Sequence, residues 1–363
     1  MHKIFIQSIY PAPYRTGVFN LLAKTYDTTL FFESKEGDNR NSSFFDKKIM
    51  GEYYFLDEKK NKQIYNKKLK NIREYDMVLA YDYSSVRSLL LLVRCIVNKV
   101  PYCINCDGAF IQHNFIKDNI KKFFIKRAKA CLASGEYAKK YFIEFGAREE
   151  QIYIHNFTSL YEKDILKEII SKETKKRIRQ ELGLPDKRIY IGVGSFIKRK
   201  GFDILLEAIA KTKSNDEFFI IIGGGPDEVE YINIIKKYKI GNVKLINFLD
   251  KETLLKYYDA ADIFVLPTRE DIWGLVINEA MARGLPIIST NRCIAAMELV
   301  KDQDNGFIAN VESVSDIASA IEYYRTLNED DLNQQKFNSL KKIRTYTIEN
   351  IAKSHIEVIN NLL

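Results

Sequence analysis

The chain has 363 residues, 46% of them hydrophobic and 29% charged, with 56 Lys and Arg against 48 Asp and Glu. That length suits two domains, each able to bury its own core, and the balance of apolar and charged residues excludes disordered and fibrous architectures. The longest aliphatic run, residues 89–93, stops at Arg94, far short of the ~20 apolar residues of a membrane span, and the interrupted N-terminus is no signal peptide, so a cytoplasmic protein is expected.

Short β-rich runs alternate with helical ones, the pattern of parallel sheets in an α/β protein. In the first half, strands are predicted at 3–9, 28–33, 77–81, 102–105, 130–134 and 152–154, and helices at 85–98, 113–126 and 136–144. Cys103 and Cys106 form a lone C-x-x-C in one of these strands; with no second Cys or His pair at zinc spacing, a structural role outweighs a redox or metal one. The five Cys suit a reducing compartment, and the four His (His2, His113, His155, His355) are scattered and give no ligand cluster. Residues 115–127 place Ile116, Ile120, Phe123 and Phe124 at helical spacing, flanked by Lys117, Lys121, Lys122 and Lys126. Such a helix either packs on its own sheet with a solvated basic rim or lies on an anionic membrane surface, with residues 115–129 as the contact. Residues 1–150 hold 26 Lys and Arg against 17 Asp and Glu, whereas the remainder balances to −1. The surplus charge, and the anionic partner it implies, therefore belong to the first half.

The polar stretch 161–182, rich in Lys and Glu, contains the expected linker. Beyond it, strands are predicted at 188–193, 218–222, 243–247, 263–266 and 286–289, and helices at 202–211, 227–238, 251–260, 274–283 and 313–325. Each half is long enough for a doubly wound parallel sheet of Rossmann-like type, and such sheets bind ligands beyond the carboxyl ends of their strands. Two of these domains, 1–160 and 161–346, facing each other would make a cleft.

The common nucleotide fingerprints are absent. No G-x-x-x-x-G-K-[ST] occurs, and Ile197 and Glu228 stand where a dinucleotide motif starting at Gly192 or Gly223 would need glycine. Two other constellations carry chemistry. From Gly194-Ser195, a strand end leads into Lys198-Arg199-Lys200-Gly201 and then a helix. Cations beside a helix N-terminus form a pyrophosphate cradle, although a run of charges alone is more often a solvated surface. The second constellation runs from Glu270-Asp271 through Gly274 to Glu279. Asp271 precedes the helix, Gly274 permits close backbone approach, and the N–H groups of Leu275 and Val276 stand free at its start. A favourable dipole contact explains Asp271 but not Glu279, which is costly to bury on an apolar helix unless it accepts hydrogen bonds, for example from ribose hydroxyls.

Together with Ile222-Gly223-Gly224-Gly225-Pro226, Tyr257-Tyr258-Asp259-Ala260-Ala261-Asp262 and Asn305-Gly306-Phe307, these pieces resemble the nucleotide-binding domain of the family 4 retaining glycosyltransferases, which have the GT-B fold. The likeness spans about 120 residues, with Pro11-x-Pro13-Tyr14-Arg15-x-Gly17 and Asp107-Gly108 compatible in the first half. The resemblance implies that Lys200 holds the donor diphosphate, helped by backbone N–H groups at Gly274, Leu275 and Val276 and at Gly17. It implies that Glu279 binds the donor ribose, that Asp271 contacts the transferred sugar, and that Phe248 and Leu249 lie in the base-contacting loop. Gly194 and Ser195 belong to the same donor site, and Arg15 and Asp107 are candidates on the acceptor or sugar side. It further implies that residues 347–363 pack back on the first domain. Three departures stand out. Asp271 replaces the usual Glu, with Glu270 beside it as an alternative; Ser195 replaces a common Arg, leaving Arg199 to supply that charge; and Cys106 replaces a common His.

The expected activity is sugar transfer, with retention at the anomeric carbon, from a UDP-sugar to a glycan or lipid-linked acceptor in bacterial surface polysaccharide synthesis. The enzyme is expected to need no cofactor and no metal, to bind no nucleic acid, and to be cytoplasmic or peripheral on the inner face of the membrane. Asp302-Gln303-Asp304 reads as a turn running into Asn305-Gly306 rather than as a metal site. A nucleotide-sugar epimerase of the same fold and a non-catalytic accessory subunit are the rival readings. An epimerase converts donor without acceptor, and an accessory subunit binds no donor.

Overall fold

Runs such as Ile4-Phe5-Ile6 and Ile189-Tyr190-Ile191 are buried at consecutive positions, as strands covered on both faces must be. In the computed structural model, which describes residues 1–37, 48–214 and 216–363, these runs form two separate parallel sheets. The chain divides into a first unit, 1–161 with 346–363, and a second, 162–345.

The first unit runs β1 (Lys3–Ser8), α1 (Pro13–Leu22), β2 (Asp27–Phe32), β3 (Glu52–Phe55), α2 (Lys59–Lys70), β4 (Met77–Ala80), α3 (Val86–Asn98), β5 (Tyr102–Cys106), α4 (Phe115–Ile125), β6 (Ala130–Ala133), α5 (Glu136–Glu144) and β7 (Ile152–Ile154). Its sheet has the order β3-β2-β1-β4-β5-β6-β7, with Ile4 facing Thr28 on one side and Met77 on the other. The pattern missed α1, β3 and α2. Helix α1 starts at Pro13, a residue suited to a first turn but easily taken as a breaker. Strand β3 is an edge with no buried residue, and α2 (KKNKQIYNKKLK) buries only Asn61, Tyr65 and Leu69.

The second unit runs α6 (Lys172–Glu181), β8 (Arg188–Val193), α7 (Phe202–Thr212), β9 (Glu217–Ile222), α8 (Glu228–Tyr238), β10 (Val243–Ile246), α9 (Lys251–Ala260), β11 (Ile263–Leu266), α10 (Leu275–Ala282), β12 (Ile287–Thr290), α11 (Ile294–Leu299), β13 (Gly306–Ala309), α12 (Val314–Thr326) and α13 (Glu329–Ile343). Its sheet has the order β10-β9-β8-β11-β12-β13. The last helix, α14 (Ile348–Leu362), returns to the first unit and packs along α1, where Tyr26 donates to Asn360 Oδ1 at 2.7 Å.

The stretch 161–182, expected to contain the linker, starts where the two units divide and also holds a helix that the pattern missed. Residues 172–181 of the presumed linker stretch are helix α6, part of the second unit. Its polarity misled the pattern because two of its charges are turned inward. Lys175 and Arg179 both bond Asp262, at 2.9 and 2.6 Å, just before β11. Lys336 of α13 reaches the same carboxylate at 3.5 Å, so one buried acid joins three elements.

In both sheets the strand order reverses direction beside the first strand, between β1 and β4 and between β8 and β11. The loops after those strands flank a crevice at the carboxyl edge, where ligands of doubly wound sheets bind.

Candidate active site

The loop after β8 tightens into a 3-10 turn, Lys198–Lys200, which Gly201 ends in the left-handed region at φ 72°. A side chain at Gly201 would put its Cβ 2.0 Å from the Pro267 carbonyl oxygen, so only glycine lets the turn lie against the loop after β11. That loop grips the turn. Thr268 Oγ1 and the Arg269 N–H both donate to the Arg199 carbonyl at 2.8 Å, and the Arg269 guanidinium donates to the Lys198 carbonyl at 2.6 Å. Arg269 also forms a two-point pair with Asp203 in the first turn of α7, at 2.8 Å on each oxygen. Burial alone would raise the Asp203 pKa, but hydrogen bonds from Arg269 and Lys198 bring it below the ordinary carboxylate range.

The turn delivers Lys200 to Asp271, with Nζ 2.5 Å from Oδ2 and both side chains only 12–13% exposed. Arg199 stands 3.7 Å from the same oxygen and donates to the Glu270 carbonyl at 2.7 Å. Asp271 is set by its own backbone, which donates to Arg292 O and accepts from Ile294 N–H. Glu270 points elsewhere and pairs with Arg292 at 2.6 Å, so Asp271 is the acid that faces the cations. The Lys200 stem lies against Gly194, and Ser195 is half-buried beside it.

Helix α10 opens at Gly274, which has φ 98° and supplies no capping side chain. The first amides of the helix, at Leu275 and Val276, therefore point beyond its N-terminus. Trp273 Nε1 donates to Asn278 Oδ1 at 2.8 Å, pinning the loop to the helix. Glu279 is half-buried and accepts from the Tyr258 hydroxyl at 3.4 Å. Burial and that carboxylate push the Tyr258 hydroxyl well above its ordinary pKa. Phe248 is 69% exposed after β10, its ring edge against Gly224, and Leu249 is half-buried beside it.

In the first unit, Arg15 of α1 reaches Asp107 after β5 with Nη2 2.6 Å from Oδ2. Its Nη1 donates to Ser8 Oγ at 2.8 Å, and Asn105 holds the other Asp107 oxygen at 2.6 Å. Burial works against the Arg15 charge, but Asp107, Tyr14 and Tyr10 more than offset it and raise its pKa. Gly17 is buried in α1, where a Cβ would lie 2.7 Å from the Tyr161 hydroxyl oxygen. Beside the Arg15–Asp107 pair is a small cavity lined by Tyr81, Asn105, His155 and His355 among others. Tyr81 OH, Asn105 Oδ1, His155 Nδ1 and His355 Nε2 are all buried there without a hydrogen-bond partner.

Residues 174–341 match the family model of glycosyl transferases group 1. The second unit carries a group 1 glycosyltransferase domain. Among relatives, the O-antigen biosynthesis glycosyltransferase WclY of Escherichia coli is 26% identical over 341 residues, covering 86% of this chain and 90% of that protein. The uncharacterized glycosyltransferase MJ1607 of Methanocaldococcus jannaschii is 28% identical over 221 residues, and the match spans 59% of this chain and 55% of that one. Among solved structures, Anabaena Alr3699/HepE in complex with UDP superposes with a TM-score of 0.77 at 18% identity, covering 99% of this chain and 100% of that one. At that identity the likeness concerns the fold, which is GT-B.

Within the group 1 domain, Lys200, Arg199, Asp271 and Gly274 come together at the carboxyl edge, with Glu279 farther along α10. Sequence reasoning missed Arg269 and Asp203, whose two-point pair fixes the cationic turn; an Arg directly after a strand loop was the available signal. It also took the four His as scattered, whereas His155 and His355 lie with ring centroids 4.9 Å apart. Two hundred residues separate them, and only the return of α14 joins them. Asp302-Gln303-Asp304 forms a turn with Gln303 at φ 58°, and Asp302 Oδ1 accepts from the Ile308 N–H. Helix α4 buries Phe124 and Ile125 but leaves Phe115, Ile116, Ile120 and Phe123 exposed.

Proposed function

We propose that the protein transfers a sugar from a UDP-sugar to a glycan or lipid-linked acceptor, with retention, in the synthesis of a bacterial surface polysaccharide. The observation that carries this reading is the Lys200–Asp271 pair, closed by the cationic turn and set beside the uncapped start of α10. A diphosphate leaving group develops negative charge on its β-phosphate as the glycosidic bond breaks. Lys200, Arg199 and the amides of Leu275 and Val276 are groups that would meet that charge, and preorganised donors of this kind lower a barrier most. The acceptor hydroxyl attacks the same face of the sugar and passes its proton to the departing phosphate oxygen, so no protein base is needed. Because fixed cations and helix amides supply the charge stabilisation, the reaction is proposed to need neither metal nor cofactor. Glu279 would accept from the ribose hydroxyls, Asp271 would contact the sugar, and Phe248 and Leu249 would flank the base.

The UDP assignment is supported by the Alr3699/HepE likeness, and the polysaccharide assignment by WclY, named for O-antigen biosynthesis. The first unit is proposed to take the acceptor, with Arg15 and Asp107 on that side. Helix α4 is proposed to touch the anionic inner membrane surface, which suits a lipid-linked acceptor and a cytoplasmic, peripheral enzyme. The α4 residues Phe115 and Ile116, 86% and 70% exposed, support that contact.

The test is a thermal-shift and mass-spectrometric screen of nucleotide sugars, with and without EDTA. A UDP-sugar should raise the melting temperature and be turned over to UDP once a glycan acceptor is added. Conversion of the donor sugar without acceptor would identify an epimerase instead, absence of any donor binding an accessory subunit, and strict need for manganese or magnesium would reject the metal-free mechanism.

A further inference from the structure

Helix α3 (VRSLLLLVRCIVN) is apolar on the wrong side as well as the right one. Its inward face buries Ser88, Leu91, Leu92 and Cys95 against the sheet. Its outward face carries Val86, Leu90, Val93 and Val97, exposed by 74%, 55%, 41% and 67%. The 4-3-4 spacing keeps all four within an arc of about 60° at 100° per residue. A surface helix ordinarily places charges there. The helix has only two, Arg87 and Arg94, and Arg87 is drawn aside into an ion pair with Glu33.

Helix α3 joins β4 to β5, and α4 joins β5 to β6, in a sheet where those strands are neighbours in that order. Right-handed crossovers therefore lay the two helices side by side on one face of the first sheet. Cys95 of α3 and Phe124 of α4 belong to the same buried core, and Tyr102 of the shared strand donates to the Phe124 carbonyl at 2.7 Å. Of the 22 large hydrophobics exposed among the described residues, eight fall on these two helices of 13 and 11 residues. Single exposed apolar residues are ordinary, but eight on adjoining helices form a patch that calls for a partner.

The charge around the patch identifies it. Residues 86–129 contain nine Lys and Arg and two Asp, a net of +7 in a chain whose total is +8. Both acids are engaged, Asp107 by Arg15 and Asp118 by His113. A second copy would bring the same positive field against itself, which disfavours pairing through this face. An anionic bilayer satisfies both features, because its acyl boundary accepts the aliphatic stripe and its headgroups accept the ammonium groups. Lys117, Lys126 and Lys129 are exposed to do so, whereas Lys121 lies 4.4 Å from the Phe145 ring centroid and Arg127 4.0 Å from that of Phe123.

We propose that α3 and α4 together form a bilayer-docking face of the first unit, with the α3 stripe Val86, Leu90, Val93 and Val97 inserted beside α4 into an anionic lipid surface. This rests on the α4 membrane contact of the proposed function and extends it to a second helix.

The experiment places a single reporter on each helix of the full chain: Val93→Trp, Ile120→Trp, and Val229→Trp of α8 as a control. The chain has one Trp of its own, Trp273, which is 3% exposed, so quenching by brominated acyl chains reads the new indole. With vesicles of phosphatidylglycerol and phosphatidylcholine in equal parts, Val93→Trp and Ile120→Trp should both be quenched and Val229→Trp should not. Phosphatidylcholine alone or high salt should abolish the quenching. Combining Val86→Ser, Leu90→Gln, Val93→Ser and Val97→Ser should lower the bound fraction roughly tenfold or more, with the melting temperature and UDP-sugar binding unchanged. Quenching at Ile120→Trp but not Val93→Trp would overturn the two-helix face and leave α4 as the sole contact. Quenching at neither position would remove the membrane contact altogether. A dimer in solution that the four α3 substitutions dissolve would assign the stripe to a second copy instead.

Discussion

Each unit places a cation–acid pair where its sheet reverses direction, and the two pairs are equally shielded: 11–14% exposed for Arg15–Asp107 and 12–13% for Lys200–Asp271. Their surroundings differ. Arg15 is tied at three nitrogens, to Asp107 and Ser8, while Asn105 holds the second Asp107 oxygen. The Lys200 ammonium meets a single carboxylate oxygen at 2.5 Å, beside the first amides of a helix with no capping side chain. A multiply tied pair is costly to open, whereas an ammonium held by one oxygen can exchange that partner for a phosphate at little cost. Similar exposure thus accompanies two geometries, one pair tied at several points and one ammonium held at a single oxygen.

The sharpest way to break this comparison is to remove the acid from the tied pair. Asp107→Ala leaves a buried guanidinium without its carboxylate, and about 3–5 kcal/mol of stability should go with it. Denaturant unfolding measures this, and a loss under about 1 kcal/mol, the range of an exposed pair, would make the two pairs alike. The counterpart is Lys200→Ala. Turnover should fall by about 10²–10³, the scale of one preorganised transition-state donor, with a smaller loss of stability than in Asp107→Ala because Arg199 and the Trp273 N–H stay on the Asp271 carboxylate. Arg199→Ala should cost less, since its guanidinium is 48% exposed and 3.7 Å from Asp271. A larger loss for Arg199→Ala than for Lys200→Ala would hand the leading charge to Arg199.

The same contrast explains what the sequence disclosed. In the second unit most of the site residues lie in two contiguous stretches, 194–201 and 270–279, each directly after a strand, so the residue pattern marked each stretch and the family resemblance implied that they share one site. In the first unit the pocket draws on α1, the ends of β4, β5 and β7, and α14. His155 and His355 each look isolated along the chain, and only the fold makes them neighbours. Buried charge hid α6 as well, because Lys175 and Arg179 count as surface residues until Asp262 is seen behind them. Most strands were legible because parallel strands covered on both faces are continuous apolar runs, whereas the edge strand β3 and the polar helix α2 lack that signal.

The His pair makes the tied region sensitive to acid, a further contrast with the second unit. Burial pushes His355 down to about 4, although the Ile351 carbonyl and Asp107 pull the other way. Burial, and then the neighbouring His355, lowers His155. The unfolded chain takes up these protons near pH 6.5, before the folded protein does, so stability is lost as pH falls from there toward 4. For His355 the loss is at most about 3 kcal/mol across that window. Unfolding midpoints measured from about pH 7 down to pH 5 should drop in the parent, with a visibly shallower slope in His355→Phe. Equal slopes would show that the ring is not what the acid attacks.

The smallest expected effect sharpens the exchangeable side. Glu279 stands one turn into α10, half-buried, with the Tyr258 hydroxyl 3.4 Å from Oε2. A charged hydrogen bond to a ribose hydroxyl contributes about 1.5–3 kcal/mol, and the neutral amide of Glu279→Gln keeps the shape while giving up part of that. Donor affinity should therefore weaken roughly tenfold, with turnover of bound donor almost unchanged, because the ribose contact is the same in ground and transition states. Calorimetry with UDP separates this from a sugar contact: UDP alone should lose the same factor as the UDP-sugar. If UDP binding were untouched while UDP-sugar binding weakened, Glu279 would belong to the sugar and Asp271 to the cations alone.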